Sequence, residues 1–126
     1  ADLENFRRRS RKEMEDMVKY ASLPLVESLL PVLDNFERAL EAADNTKENT
    51  LYEGVEMVYR QLQSALQNAG LTLIESKGQP FDPHQHNAVM QEKSADAEPD
   101  TVIDELQTGY RFGDRVIRPS MVKISK

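Results

Sequence analysis

The feature that most limits what this chain folds into is a change of period at Asn68-Ala69-Gly70. Before it, Ala1 to Ala69 hold one glycine, Gly54, few β-branched residues and many strong helix formers, which is a helical composition. After it come the glycines at 70, 78, 109 and 113, with Pro80, Pro83, Pro99 and Pro119 and short alternating runs rich in β-branched residues. That half reads as a small β unit of four to six short strands around one core. Gly70 suits the left-handed residue that follows a last helical turn. The expected fold is α+β in three parts: a long paired helix at 1–23, a helical hairpin at 24–69 that builds a dimeric four-helix bundle, and an all-β domain at 70–126.

The bundle follows from patterning and area. Thr50-Leu51-Tyr52-Glu53 has the form of a capping box, so a helix starts there. Leu51, Val55, Val58, Leu62, Ala65, Leu66 and Ala69 then give one apolar stripe. Val32, Leu33, Phe36, Leu40 and Ala43 give a second, ending at Asp44-Asn45, with Asn45 to Asn49 as a polar connector. Two amphipathic helices cannot enclose a core alone, and a second copy is the simplest completion. Leu, Ile, Val and Phe make up 24% of the 126 residues, little for a self-sufficient monomer. Upstream, Leu3, Met14 and Leu25 lie eleven apart, as do Phe6 and Met17, a spacing that suits a nearly straight seam between two parallel helices. The expected dimer contacts are Leu3, Phe6, Met14, Met17, Leu25, Leu33, Phe36, Leu40, Val55, Val58, Leu62 and Leu66. Pro24 and Pro31 each remove a backbone donor, and the rod is expected to hand over to the bundle between them. Met57 and Met90 read as gap-filling core.

In the β half, Leu71 to Glu75 reads as a strand, Lys77-Gly78-Gln79-Pro80 as a turn, and Phe81 to Met90 as a further strand. The acid-rich stretch from Gln91 to Glu105 reads as an exposed loop in which Val102 and Ile103 begin a strand. Leu106 to Tyr110 and Asp114 to Ser125 complete the unit around a turn at Phe112-Gly113-Asp114.

Charge and motifs exclude much chemistry. A formal charge of -6 makes nucleic acid a poor partner, and the absence of Cys removes disulfides, thiolate metal sites and thiol nucleophiles. No apolar run reaches the roughly 20 residues that cross a bilayer, so a soluble, cytoplasmic protein is expected. Ala1-Asp2-Leu3 is already in a helical pattern, as in a chain whose natural start lies upstream. There is no phosphate loop and no nucleophile elbow. Asp82, His84 and His86 are metal-ligand types, but a metal needs three or four convergent ligands and no other His is present. A tight Asp82-Pro83 turn capped by one His is the reading. No metal, cofactor or catalytic residue is expected. Arg7-Arg8-Arg9-Ser10-Arg11-Lys12 is surrounded by acids and reads as a solvated helix face with i to i+4 pairs. Arg111, Arg115, Arg118, Lys123 and Lys126 against Asp114 make a basic patch suited to an acidic partner. Gly54, inside a good helix, implies either close helix approach at the bundle seam or access for a partner.

Phe81-Asp82-Pro83-x-x-His86-x-Ala88-Val89, followed by Gly109-Tyr110-x-x-x-Asp114-x-x-Ile117-Arg118-x-Ser120-x-Val122-x-Ile124, closely resembles the GrpE family signature. Leu3 to Arg9 and Leu29 to Leu40 resemble that family's long helix and bundle entry, so the likeness spans nearly the whole chain. Pro24 and Pro119 depart from the pattern, which puts helix continuity in question at one and bends the last strand at the other. The resemblance implies a homodimeric nucleotide exchange factor for a DnaK-type chaperone, with a β-wing inserted into the chaperone's ATPase domain and no direct nucleotide binding. It places the docking arginine at Arg115 and further contacts at Phe81, Asp82, Pro83, Ile117, Arg118, Pro119 and Met121. It also places Gly54, Arg7 and Arg8 near the chaperone. The runner-up is an adaptor dimer that binds a partner without affecting nucleotide.

Overall fold

The computed structural model of the chain describes residues 2–43 and 50–126. The expected helix end at Asp44-Asn45 and the connector from Asn45 to Asn49 lie outside the described residues. Three helices, α1 (Asp2–Tyr20), α2 (Leu23–Ala42) and α3 (Thr50–Ala69), precede six strands. These are β1 (Leu71–Leu73), β2 (His86–Glu92), β3 (Val102–Gln107), β4 (Tyr110–Phe112), β5 (Arg115–Arg118) and β6 (Ser120–Ser125). The α+β class stands, with α3 opening at Thr50 and closing before Gly70, whose φ of 117° only glycine adopts freely.

The helix breaks ahead of Pro24, and not between the two prolines as expected. α1 stops at Tyr20, and Pro24 occupies the first turn of α2, where a missing N–H has no intrahelical acceptor in any case. Pro31 lies inside α2 without ending it. Its ring is exposed while Leu30 and Leu33 beside it are buried against the sheet, so packing holds the helix through the lost bond.

The strands form two sheets and not one unit. The first has the order β1-β4-β5, all antiparallel, and the second β2-β6-β3, with β2 parallel to β6. Each sheet has its own apolar cluster. Val26, Leu30 and Leu33 of α2, spaced as one helix face, pack with Leu66, Leu71, Tyr110 and Phe112. Val102, Val122 and Ile124 pack beneath the second sheet with Phe81. Strand limits shift accordingly. β1 ends at Leu73, and β2 starts only at His86 and runs to Glu92, while β3 starts at Val102 as expected. Leu106 to Tyr110 is divided between β3 and β4.

Several expected dimer contacts are used within the chain. Leu33 is 1% and Leu66 6% exposed, both inside the helix-to-sheet cluster, and Leu62 packs against it. Phe36 stacks on Tyr59 at 5.7 Å between α2 and α3, while Leu40 and Val55 are half-buried. Leu3, Phe6, Met14, Met17, Leu25 and Val58 remain exposed, and α1 buries no residue of its own. Met57 and Met90 are exposed, not core. The basic run on α1 is solvated, but among the described residues the ion pair that α1 makes is Lys19 with Asp114, not pairs within the helix.

The two sheets meet where β5 gives way to β6. Pro119 separates the strands, and the chain crosses from one sheet to the other. At the crossing Gly109 N–H donates to Ser120 Oγ at 3.0 Å, Ser76 Oγ donates to Ser120 Oγ at 2.8 Å, and Ile74 N–H donates to the Gly109 carbonyl at 3.0 Å. A Cβ on Gly109 would lie 2.3 Å from the Ser120 nitrogen and 2.7 Å from the Pro119 carbonyl carbon. Backbone on both sides leaves nothing flexible to yield. Gly109→Ala is therefore expected to destabilise the chain by about 3 kcal/mol or more, read as a lowered denaturant midpoint. Gly54→Ala, where a Cβ meets nothing within 4 Å, should be neutral or slightly stabilising to the isolated fold.

Candidate partner-docking site

Two wing elements carry most of the expected contacts. The first is the turn from Phe81 to His86. Asp82 organises it: its Oδ1 accepts from His84 N–H at 3.0 Å, and its carbonyl accepts from His86 N–H at 2.8 Å. In return Asp82 N–H donates to His86 Nδ1 at 2.9 Å, so the imidazole proton resides on Nε2. The Asp82-Pro83 turn capped by a histidine is thus as expected, and both residues are committed to each other. Phe81 is held between the His86 ring, 5.9 Å away, and the second apolar cluster, while Pro83 is exposed at the tip. Phe81 N–H donates to the carbonyl of Asp100, a residue at φ 61° that starts the approach to β3.

The second element is the β4–β5 hairpin, which turns at Gly113-Asp114. Arg115 opens β5, exposed, with its guanidinium 3.9 Å above the ring of Tyr20 at the end of α1. Among the described residues no carboxylate pairs with it; the neighbouring Asp114 is exposed and lies 3.6 Å from Lys19. The Arg111 guanidinium donates to the Gln85 side chain, and Ser120 N–H donates to the Gln85 carbonyl at 3.0 Å, which ties hairpin, crossing and turn together.

Arg118 is placed differently from Arg115. Its Nη1 and Nη2 donate to the two carboxylate oxygens of Asp34 at 2.6 and 2.8 Å, and its Nε to the Thr108 carbonyl at 3.0 Å. Both side chains are 18% exposed. The Asp34 hydrogen bonds raise the guanidinium's already high pKa despite the opposing effect of burial. Hydrogen bonds to charged groups contribute about 1.5–3 kcal/mol each, so this fork is a strong polar tie between α2 and the wing. Beside it Tyr59 Oη donates to Glu37 at 2.7 Å, and burial with that bond pushes the phenol well above its ordinary range. Lys123 is likewise paired, with Glu92 at 2.9 Å. Of the basic patch, Arg111, Arg115 and Lys126 remain without a carboxylate partner among the described residues.

Ile117 packs on the helix-to-sheet cluster, Pro119 is exposed at the crossing, and Met121 is half-buried on β6. Gly54 is exposed on α3, and Arg7 and Arg8 on α1. No hydrogen bond, ion pair or ring contact among the described residues joins these three to the wing. Tyr20, Lys19, Asp34 and Gln85 were not singled out from sequence. Tyr20 carried one signal, an aromatic closing a helix just ahead of a proline, and Asp34 sits inside the Leu29 to Leu40 motif.

The GrpE family model matches residues 1–126. This chain belongs to the GrpE family. It is 55% identical over 127 residues to Protein GrpE of Parageobacillus thermoglucosidasius, covering all of this chain and 57% of that protein. Protein GrpE of Brevibacillus choshinensis is also 55% identical, with 71% covered, and that of Bacillus subtilis 52% identical, with 68% covered. The chain thus spans little more than half of the first of these GrpE relatives. The family signature now has physical content: Gly109 and Ser120 form the crossing, Tyr110, Val122 and Ile124 fill the two cores, and Arg118 ties the wing to α2.

His86 gives the site a pH dependence. Burial lowers its pKa below the ordinary 6.5, with Asp82 and Glu105 opposing the shift. The unfolded chain therefore binds the proton more readily than the folded one, so the stability contributed is complete above about pH 6.5 and is lost as pH falls through the lowered folded value. Urea unfolding should show stability falling from about pH 6.5 to pH 5 in the natural chain, and a smaller fall in His86→Gln.

Proposed function

We propose that the chain is a homodimeric co-chaperone that binds the ATPase domain of a DnaK-type chaperone and accelerates ADP release, without covalent chemistry of its own. The observation that carries the reading is Arg115. In a GrpE family member it stands where the resemblance puts the docking arginine, exposed and with no acid upon it among the described residues. Lys19, Arg111 and Arg115 gather around one hairpin of a chain whose net charge is -6, which suits steering toward an acidic partner surface. The Phe81-Asp82-Pro83 turn, linked to that hairpin through Gln85, supplies a second contact on the same wing.

The mechanism is linkage. A partner that binds the opened ATPase domain more tightly than the closed ADP form weakens ADP by the factor by which ADP weakens it. Rigidity serves this directly, because a wing fixed to α2 by Arg118 and Asp34 favours the opened domain by shape. Pairing of two copies along Leu3, Phe6, Met14, Met17 and Leu25 accounts for an α1 that buries nothing within its own chain. Gly54, bare of neighbours, and Arg7 and Arg8 are then free to lie near the chaperone.

Release of a fluorescent ADP from purified DnaK, followed by stopped flow, should accelerate and saturate with concentration of this chain. Arg115→Glu should weaken docking on the order of thirtyfold while helicity is unchanged. Binding with no acceleration by the natural chain would favour an adaptor dimer instead.

Pairing along α1 also predicts the thermal behaviour. The helical signal should fall before the Val122 and Ile124 methyl NMR signals of the second sheet lose their native dispersion, with a midpoint that rises with chain concentration. One concentration-independent transition in both signals would count against a paired α1.

A further inference from the structure

Resting on Arg115 as the docking residue, we infer that Tyr20 is its positioning residue, holding the guanidinium by its face so that its hydrogen-bond donors stay free for an acidic partner. The two arginines of β5 show the contrast. Arg118 is fixed through its N–H groups, on Asp34 and the Thr108 carbonyl, and has little left to offer. Arg115 is fixed through its π face, 3.9 Å above Tyr20, and a stacked guanidinium keeps its five N–H donors at the rim of the plane. An exposed arginine normally loses much side-chain freedom on docking, and a residue already ordered loses less.

Tyr20 is itself held in place from below. Its ring packs on Phe112 at 5.9 Å and 55°, and Phe112 is fully buried and lies opposite Arg115 in the β4–β5 register. Gly113, at φ 60°, turns the hairpin beside them, with its α-carbon face toward the flexible end of Lys19 and the Tyr20 hydroxyl. Asp114, the acid next to Arg115 in the chain, lies 3.6 Å from Lys19 and is almost fully exposed, and it makes no ion pair with the guanidinium. The last turn of α1 therefore supplies the platform, and the docking group on the wing depends on the helix that carries no core of its own.

The test has a readout that needs no partner. NMR relaxation at Arg115 Nε–Hε should show an ordered side chain in the natural protein and in Tyr20→Phe, and a mobile one in Tyr20→Leu, which keeps apolar packing on Phe112. An Arg115 as mobile as the exposed Arg7 and Arg8 in the natural protein overturns the inference without any variant. In binding to the DnaK ATPase domain, Tyr20→Leu should lose on the order of threefold to tenfold in affinity, Tyr20→Phe little, and Tyr20→Leu nothing further in an Arg115→Ala background. A loss that is equal with and without Arg115 overturns the positioning role. Wild-type affinity in Tyr20→Leu, beside weakened binding in Arg115→Ala, overturns the inference alone. Unchanged affinity in Arg115→Ala overturns the docking reading and the inference with it.

Discussion

The β half of this chain depends on one close approach, Gly109 against the Pro119-Ser120 backbone. Two short sheets with separate cores have no reason to share a chain compactly unless they are fastened where the chain passes between them. A side-chain hydroxyl, a backbone amide and the absence of a Cβ do this in a space of about one atom's width. Pro119 suits the position because a residue between sheets owes no hydrogen bond to either ladder. The bend expected at Pro119 within the last strand is instead a boundary between two strands.

Above the crossing, the first sheet is less a domain than the lid of the helical hairpin. Tyr110 and Phe112 share a core with α2 and α3, and Arg118 reaches 84 residues back along the chain to Asp34. The second sheet hangs from this platform through Gln85, Ser76 and Ser120. Mechanical continuity thus runs from helix to first sheet to the Phe81–His86 turn, which is what an arm needs if binding energy is to act on the shape of a partner rather than on its own flexing.

Features carried by local chemistry were legible in the sequence. Gly70 as a helix stop, Thr50 as a helix start, the Gly113-Asp114 turn and the Asp82-Pro83 turn each follow from conformational preferences within a few residues. Features that depend on distant partners were not. An apolar stripe says that Leu33 and Leu66 are covered, but not whether a second copy or the chain's own sheet covers them. The same limit applies to Arg118, whose charge marks chemistry but whose acid lies on another element. Parallel pairing of β2 with β6 left no trace in either strand, since alternation alone does not encode a neighbour's direction. Pro24 and Pro31 look alike in sequence, yet one opens α2 and the other lies inside it, held by the packing of Leu30 and Leu33. At the candidate site, Arg115 was legible as a charge and Tyr20 was not, because a stack is a meeting of surfaces rather than a spacing.

The arrangement of the second sheet sets an order of assembly. β6 is the last strand in chain order, yet it is the middle one, and β2 and β3 touch it and not each other. During synthesis neither flanking strand has a partner until β6 emerges, so this sheet closes only after translation has passed Ser125. The helices and β1 wait less long, since the residues that complete their cluster are Tyr110 and Phe112 of β4. For that interval β2 and β3 are open edges, and the acids around them, Glu92, Asp96, Glu98, Asp100, Asp104 and Glu105, are of the kind that discourages edge-to-edge pairing between nascent chains. The backbone of the acid-rich stretch between β2 and β3 is tied into the finished fold at Glu98, Asp100 and Thr101, while its exposed carboxylates guard the edges before the fold exists.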